Sequence, residues 1–119
     1  MLLYIHVPFC RRKCRYCAFY SNPLARSGDE MAVYLSALYA ELGQWGRRLG
    51  RVPVESVFFG GGTPSYLGEK RLCKILKTVQ KRYHISRDAE ITLEANPDSA
   101  GDWKALRALR RCGFNRISL

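Results

Sequence analysis

The sequence predicts an α/β fold, a parallel-stranded partial (β/α) barrel of about four strands and three helices. Three observations lead there. Short apolar runs of strand length alternate with longer segments whose apolar residues recur at helical spacing. Each helical segment is long enough to carry the chain across one face of a sheet, so successive strands run parallel with right-handed connections. The residues that bear chemistry follow the carboxyl ends of strands, where parallel α/β proteins collect their ligands.

Leu2 to Val7 puts Leu3, Ile5 and Val7 on one side and Tyr4 and His6 on the other, a first strand that Pro8 ends. The segment Cys10-Arg11-Arg12-Lys13-Cys14-Arg15-Tyr16-Cys17 follows at once, and turn formers then lead to Asp29, a candidate helix cap. From about Glu30 to Leu49, the stripe Met31, Tyr34, Leu35, Leu38, Leu42, Trp45 and Leu49 predicts a first helix stopped at Gly50. Pro53 introduces Val54 to Phe59, a largely apolar second strand running into Gly60-Gly61-Gly62-Thr63-Pro64. A second helix is read from Glu69 to Arg82, with Leu72, Ile75, Leu76 and Val79 inward. Glu90 to Ala95 is a third strand ended by Asn96-Pro97. Ser99 and Asp102 resemble a capping box for a third helix, which turns Leu106 and Leu109 inward and stops at Gly113. Phe114 to Leu119 is the fourth strand. Four parallel strands make half of an eight-stranded barrel, and a last strand with an unpaired edge leads to the expectation that residues 1–119 belong to a larger parent.

With 119 residues, 47% apolar and 25% charged, the chain suits one small soluble domain. No apolar run approaches a membrane span, and the first residues lack the basic start of a signal peptide, so a cytoplasmic protein is expected. A net charge of +10 raises nucleic acid as a partner. The charge is spread, however: Lys70, Arg71, Lys74, Lys77 and Lys81 read as the solvated face of one helix and Arg107, Arg110 and Arg111 of another, so no nucleic acid is expected. Five cysteines is an odd count, and without a signal peptide it argues against a disulfide framework. Cys73 and Cys112, within or at the end of helices, read as small buried apolar groups.

Cys10, Cys14 and Cys17 carry the strongest chemical signal. Three soft thiolates on one tight loop suit a metal or an iron-sulfur cluster, and a set of three leaves one coordination position open. Arg11, Arg12, Lys13 and Arg15 around them favour thiolates and an anionic cluster. Glycines at 60 to 62 allow a backbone to approach a ligand closely, and no Lys-Ser or Lys-Thr follows at the spacing of a phosphate loop. Glu94, at the end of an apolar strand, could hold ribose hydroxyls or an amino group. Spacing alone leaves a structural zinc module open, with His6 as the fourth ligand, but zinc gives neither the glycine turn nor Glu94 a role.

The runs Tyr4-Ile5-His6-Val7-Pro8-Phe9-Cys10, Gly60-Gly61-Gly62-Thr63-Pro64-Ser65 and Glu94-Ala95-Asn96-Pro97, with the three-cysteine loop, together resemble a radical S-adenosylmethionine (SAM) protein. The resemblance extends from end to end and is closest to the oxygen-independent coproporphyrinogen III oxidase group. It implies the N-terminal half of a radical SAM barrel, with Cys10, Cys14 and Cys17 holding three irons of a [4Fe-4S] cluster and the methionine amine and carboxylate of SAM chelating the fourth. It also implies SAM contacts at Tyr4, Tyr16, Gly61, Gly62, Thr63 and Glu94, and reductive cleavage of the sulfonium to a 5′-deoxyadenosyl radical. No residue is assigned a catalytic role. The oxidase branch carries a further cysteine two positions after the third, where this chain has Phe19. In that respect the chain is similar to the HemW branch, regarded as haem chaperones that pass haem to an acceptor protein. A chaperone is therefore expected ahead of a porphyrin-biosynthesis dehydrogenase, with haem binding a property of the full-length parent.

Overall fold

Alternating burial along the first strand sets the plan of the molecule. In the computed structural model, which describes residues 1–10, 22–23, 28–96 and 102–119, β1 (Leu2–Val7) buries Ile5 and Val7 and exposes Tyr4 and His6. Two short strands follow, β2 (Phe9–Cys10) and β3 (Asn22–Pro23), paired in parallel with each other. The main sheet is completed by β4 (Pro53–Gly61), β5 (His84–Glu94) and β6 (Arg116–Ser118). All its pairings are parallel, and the strands lie in chain order, β1-β4-β5-β6. The helices α1 (Gly28–Leu49), α2 (Glu69–Arg82) and α3 (Trp103–Cys112) are the crossovers. The α/β partial barrel expected from the sequence is the fold observed.

One face of the sheet and the helices share a single core. Ile5, Val7, Val57, Phe59, Ile91 and Leu93 pack against the inward residues of all three helices, and Phe59 meets Phe114 edge to face at 5.0 Å. Side chains of opposite parity, among them Tyr4, Phe58, Thr92 and Arg116, therefore belong to the other face. That face is left to the site.

Besides shifts in element bounds and the added β2–β3 pairing, four details differ from the sequence reading. First, β5 begins at His84 rather than Glu90, because the register jumps from Val54↔Ile85 to Ser56↔Glu90 and the polar residues between are absorbed in an irregularity of the ladder. Second, the α3 cap is Asp102 itself, whose Oδ1 accepts from the Ala105 N–H at 3.0 Å; Ser99 lies outside the described residues. Third, the stripe on α1 is not uniformly buried. Leu42 is, but Trp45 is 46% exposed, since a cavity of about 610 Å³ lined by Leu3, Ile5, Leu38 and Trp45 separates α1 from β1. Fourth, Cys73 and Cys112 are joined as a disulfide between α2 and α3, with Cα atoms 5.7 Å apart, where free thiols were expected. Compartment arguments address the environment of a chain, whereas two cysteines on packed helices meet because the helices do. Among the described residues no helix is long and apolar enough to cross a membrane.

The outermost strand, β6, is stitched to β5 by one side chain. Asn115 donates from Nδ2 to the Ala89 carbonyl at 2.9 Å and accepts at Oδ1 from the Ile91 N–H at 2.8 Å, while its own N–H donates to the Ile91 carbonyl at 3.0 Å. Replacing Asn115 with Ala should lower the unfolding free energy by about 1–3 kcal/mol, measured by urea denaturation, because it removes two bonds and strands two backbone groups. Asn115→Asp, which keeps the acceptor and loses the donor, should fall between the two.

Candidate functional site

The register lays out the free face in rows. Tyr4, Phe58, Thr92 and Arg116 are successive partners in one row; nearer the carboxyl ends of the strands, His6 pairs with Gly60 and Glu94 with Ser118. Tyr4 stacks on Phe58 with centroids 5.9 Å apart and planes 10° from parallel, and its ring lies 6.1 Å from His6. Burial first, and then the Glu94 carboxylate, push the Tyr4 phenol above its ordinary value, so Tyr4 and Glu94 act on one another across the mouth. At the β6 edge of that row, Arg116 reaches back toward the amino ends of the strands and pairs with Glu90 at 2.8 Å. Thr92 Oγ1 is buried between these levels without a hydrogen-bond partner among the described residues.

The glycine turn is tied to the strand end that leads into the cysteines. The Gly62 N–H donates to the Val7 carbonyl at 2.8 Å and the Thr63 N–H to the Phe9 carbonyl at 2.7 Å. A Cβ on Gly62 would collide with that same Phe9 carbonyl oxygen. Gly61, at φ +115°, adopts a conformation L side chains avoid, and its Cβ would meet the His6 ring at 2.7 Å. The sequence reading had these glycines making room for a ligand. At Gly62 the room is taken by the Phe9 backbone, so the turn holds the root of the cysteine loop. With the N–H groups of Gly62 and Thr63 spent on protein carbonyls, neither is available to hold an anion.

Sequence reasoning missed Tyr34. Its hydroxyl donates to the His6 carbonyl at 2.6 Å and its ring stands edge-on to Phe9 at 5.2 Å, so α1 braces the end of β1 just before the loop. Within the stripe on α1, an aromatic that braces the site cannot be told from one that fills the core.

Of the expected site residues, the structure brings Tyr4, Gly61, Gly62, Thr63 and Glu94 to one end of the sheet, beside the backbone of Cys10 in β2. The Cys10 side chain, Cys14, Tyr16 and Cys17 lie outside the described residues. A carboxylate and a phenol on the free face, near the backbone of Cys10, are chemically suited to the amino and hydroxyl groups of a polar ligand.

This arrangement defines a parallel barrel protein whose site is assembled where its strands end. The family model of the radical SAM superfamily matches residues 4–119, and the chain belongs to that superfamily. It is 40% identical over 119 residues to the haem chaperone HemW of Mycobacterium tuberculosis, covering 98% of this chain and 30% of that protein. An oxygen-independent coproporphyrinogen III oxidase of Bradyrhizobium diazoefficiens is 33% identical, over 98% of this chain and 26% of the relative. Among solved structures, coproporphyrinogen III oxidase (HemN) from Escherichia coli, described as a radical SAM enzyme, aligns with a TM-score of 0.85 at 32% identity, over 98% of this chain and 26% of that one. The chain thus spans less than a third of the length of these relatives.

Two outcomes test the clasp. Gly62→Ala should cost about 1–3 kcal/mol of stability and speed amide exchange at Gly62 and Thr63. Gly43→Ala, whose Cβ would make only an ordinary contact with Arg47 at 3.5 Å in mid-helix, should instead be neutral or gain up to about 1 kcal/mol; equal losses at both positions would contradict the packing account. The Tyr34 phenol is pushed above its ordinary value by burial. Its contribution to stability is full below the ordinary phenol value of about 10 and is lost as pH rises from there through the folded-state value. Tyr34→Phe should therefore weaken the protein at neutral pH and flatten the alkaline decline, both followed by denaturant titration.

Proposed function

We propose that residues 1–119 are the cluster- and SAM-binding N-terminal part of the core domain of a HemW-like haem chaperone of the cytoplasm. The observation that carries the reading is the hydrogen-bonded clasp between Gly62-Thr63 and Val7-Phe9, which roots a three-cysteine loop beside the mouth that Tyr4 and Glu94 line. Cys10, Cys14 and Cys17 hold the cluster, and Arg11, Arg12, Lys13 and Arg15 offset its negative charge. Turn carbonyls at Gly61 and Gly62 accept from the remaining N–H groups of the methionine amine, Thr63 adds a hydroxyl, Glu94 holds an amino group or ribose hydroxyls, and Tyr4 and Tyr16 supply ring surface. When bound, the reduced cluster supplies an electron and SAM the sulfonium bond that the electron can break. This chain's part is to orient that bond and keep water away. Haem binding and transfer to an acceptor protein belong to the full-length parent.

The chaperone is preferred over the oxidase on Phe19, which occupies the position of the oxidase branch's additional cysteine, and on the higher identity to the M. tuberculosis chaperone. The structural likeness to HemN favours the second reading, a coproporphyrinogen III oxidase using the same residues.

Anaerobic reconstitution of the full-length protein should load about four irons per chain with sulfide, and Cys14→Ala should abolish loading. Added SAM should alter the paramagnetic spectrum of the reduced cluster; an unchanged spectrum would sink the cofactor assignment. Haem uptake without decarboxylation of coproporphyrinogen supports the chaperone, and porphyrinogen turnover replaces it with the oxidase.

A further inference from the structure

The disulfide on the helical side of the sheet is absorbed by nothing above. Cys73 sits in the middle of α2 and Cys112 is the last residue of α3; both are partly buried, and the bond between them closes 39 residues of chain. Their surroundings are basic. Lys70 and Lys77, three before and four after Cys73, are exposed on the same side of α2, and Arg110 and Arg111, two and one residues before Cys112, are exposed in the last turn of α3. Against these stands Glu69, one turn before Cys73; among the described residues of α3 and its caps the only acidic one is Asp102, at the far end. The charged side chains flanking the two cysteines are therefore mostly basic, and both cysteines are partly rather than fully buried.

We infer that Cys73 and Cys112 form a thiol–disulfide exchange site whose co-reactants are low-molecular-weight disulfides and thiols, anionic ones above all. In the reduced pair, Cys73 is the attacking group. Lys70 and Lys77 favour its thiolate, whereas Cys112 faces the negative end of the α3 dipole, which disfavours one. The Cys73 thiolate attacks one sulfur of the reagent disulfide, that S–S bond breaks, and one thiolate leaves and takes up a proton. Cys112, losing its proton, then displaces the second thiolate from the mixed disulfide and closes the Cys73–Cys112 bond. Two electrons have passed from the protein to the reagent, and two reagent thiols are released. The reverse sequence, driven by excess thiol, reopens the pair.

Since α2 leaves the glycine turn and α3 runs into β6, the bond fastens the two crossovers behind the site. The inference is independent of the proposed function, because neither sulfur belongs to the three-cysteine loop.

The test is a time course of the reduced full-length protein with oxidised glutathione, an anionic disulfide, or with cystamine, a cationic one, followed by acid quench, alkylation and peptide mapping. Wild type should yield the Cys73–Cys112 linked peptide, several-fold faster with oxidised glutathione at low salt, and the advantage should vanish near about 1 M salt, where charges are screened beyond about 3 Å. Cys112→Ser should accumulate glutathione on Cys73, while Cys73→Ser should leave Cys112 modified several-fold more slowly. Failure to form the linked peptide, equal rates for the two reagents at low salt, or faster modification of Cys112 than of Cys73 would overturn the site. Iron loading is read on other residues, so a protein that takes up no cluster can still give the linked peptide, and one that takes it up can fail to.

Discussion

Two backbone hydrogen bonds, Gly62 to Val7 and Thr63 to Phe9, decide where this molecule can do chemistry. They continue the parallel pairing of β1 and β4 past the end of the ladder, which closes at Val7↔Gly61. A side chain at position 62 would fill the space the Phe9 carbonyl needs, so the clasp exists only because the residue is glycine. Its consequence is positional. The chain leaving β1 is fastened over the end of β4, and the cysteine loop begins beside the strand ends rather than drifting off an edge strand.

The rest of the structure supports that point unequally. Behind β4 and β5 the core is dense, with Val57, Phe59, Ile75, Leu76 and Val79 fully buried and Phe114 wedged against Phe59. Behind β1 it is thin, because α1 stands off across the cavity and reaches the end of the strand through the Tyr34 hydroxyl and the Phe9–Tyr34 edge contact. The β1 side of the site thus rests on a few directional contacts, and the side that bears Glu94 on buried area.

Much of this was legible in the sequence. Period and punctuation gave β1 and α2 to the residue, and burial confirms Leu72, Ile75, Leu76 and Val79 as the inward face of α2. Where local signals failed, non-local geometry had decided. The early start of β5 depends on what Pro53 and Val54 pair with, and the β2–β3 bridge joins two residues to partners thirteen positions away in the chain. Neither leaves a mark in a window of neighbours. The glycine turn shows the subtler failure: three small residues in a row announce a close approach, but only the fold says that at Gly62 the approaching atoms are protein backbone. The disulfide belongs to the same class, since a cysteine's partner is fixed by helix packing and not by spacing.

The clasp also bears on how the proposed cofactor would be oriented. Had the amides of the glycine turn pointed outward, the turn would have been a nest for anions, competing with the basic loop for the carboxylate of an amino acid. Because Gly62 and Thr63 donate to Val7 and Phe9, their amides take no part in holding an anion, and Glu94 adds a negative charge near the strand ends, while Arg11, Arg12, Lys13 and Arg15 lie in the cysteine segment. Glu90, the other carboxylate on this face of β5, is engaged by Arg116 in a pair more than half exposed on both sides, which contributes little energy but leaves Glu94 as the carboxylate at the mouth. In the proposed reading, Glu94 takes N–H or O–H donors of the bound amino acid or its ribose, while the amino and carboxylate groups share the open coordination position of the cluster. The two amides of the turn do not compete for that carboxylate, because both are spent on the Val7 and Phe9 carbonyls.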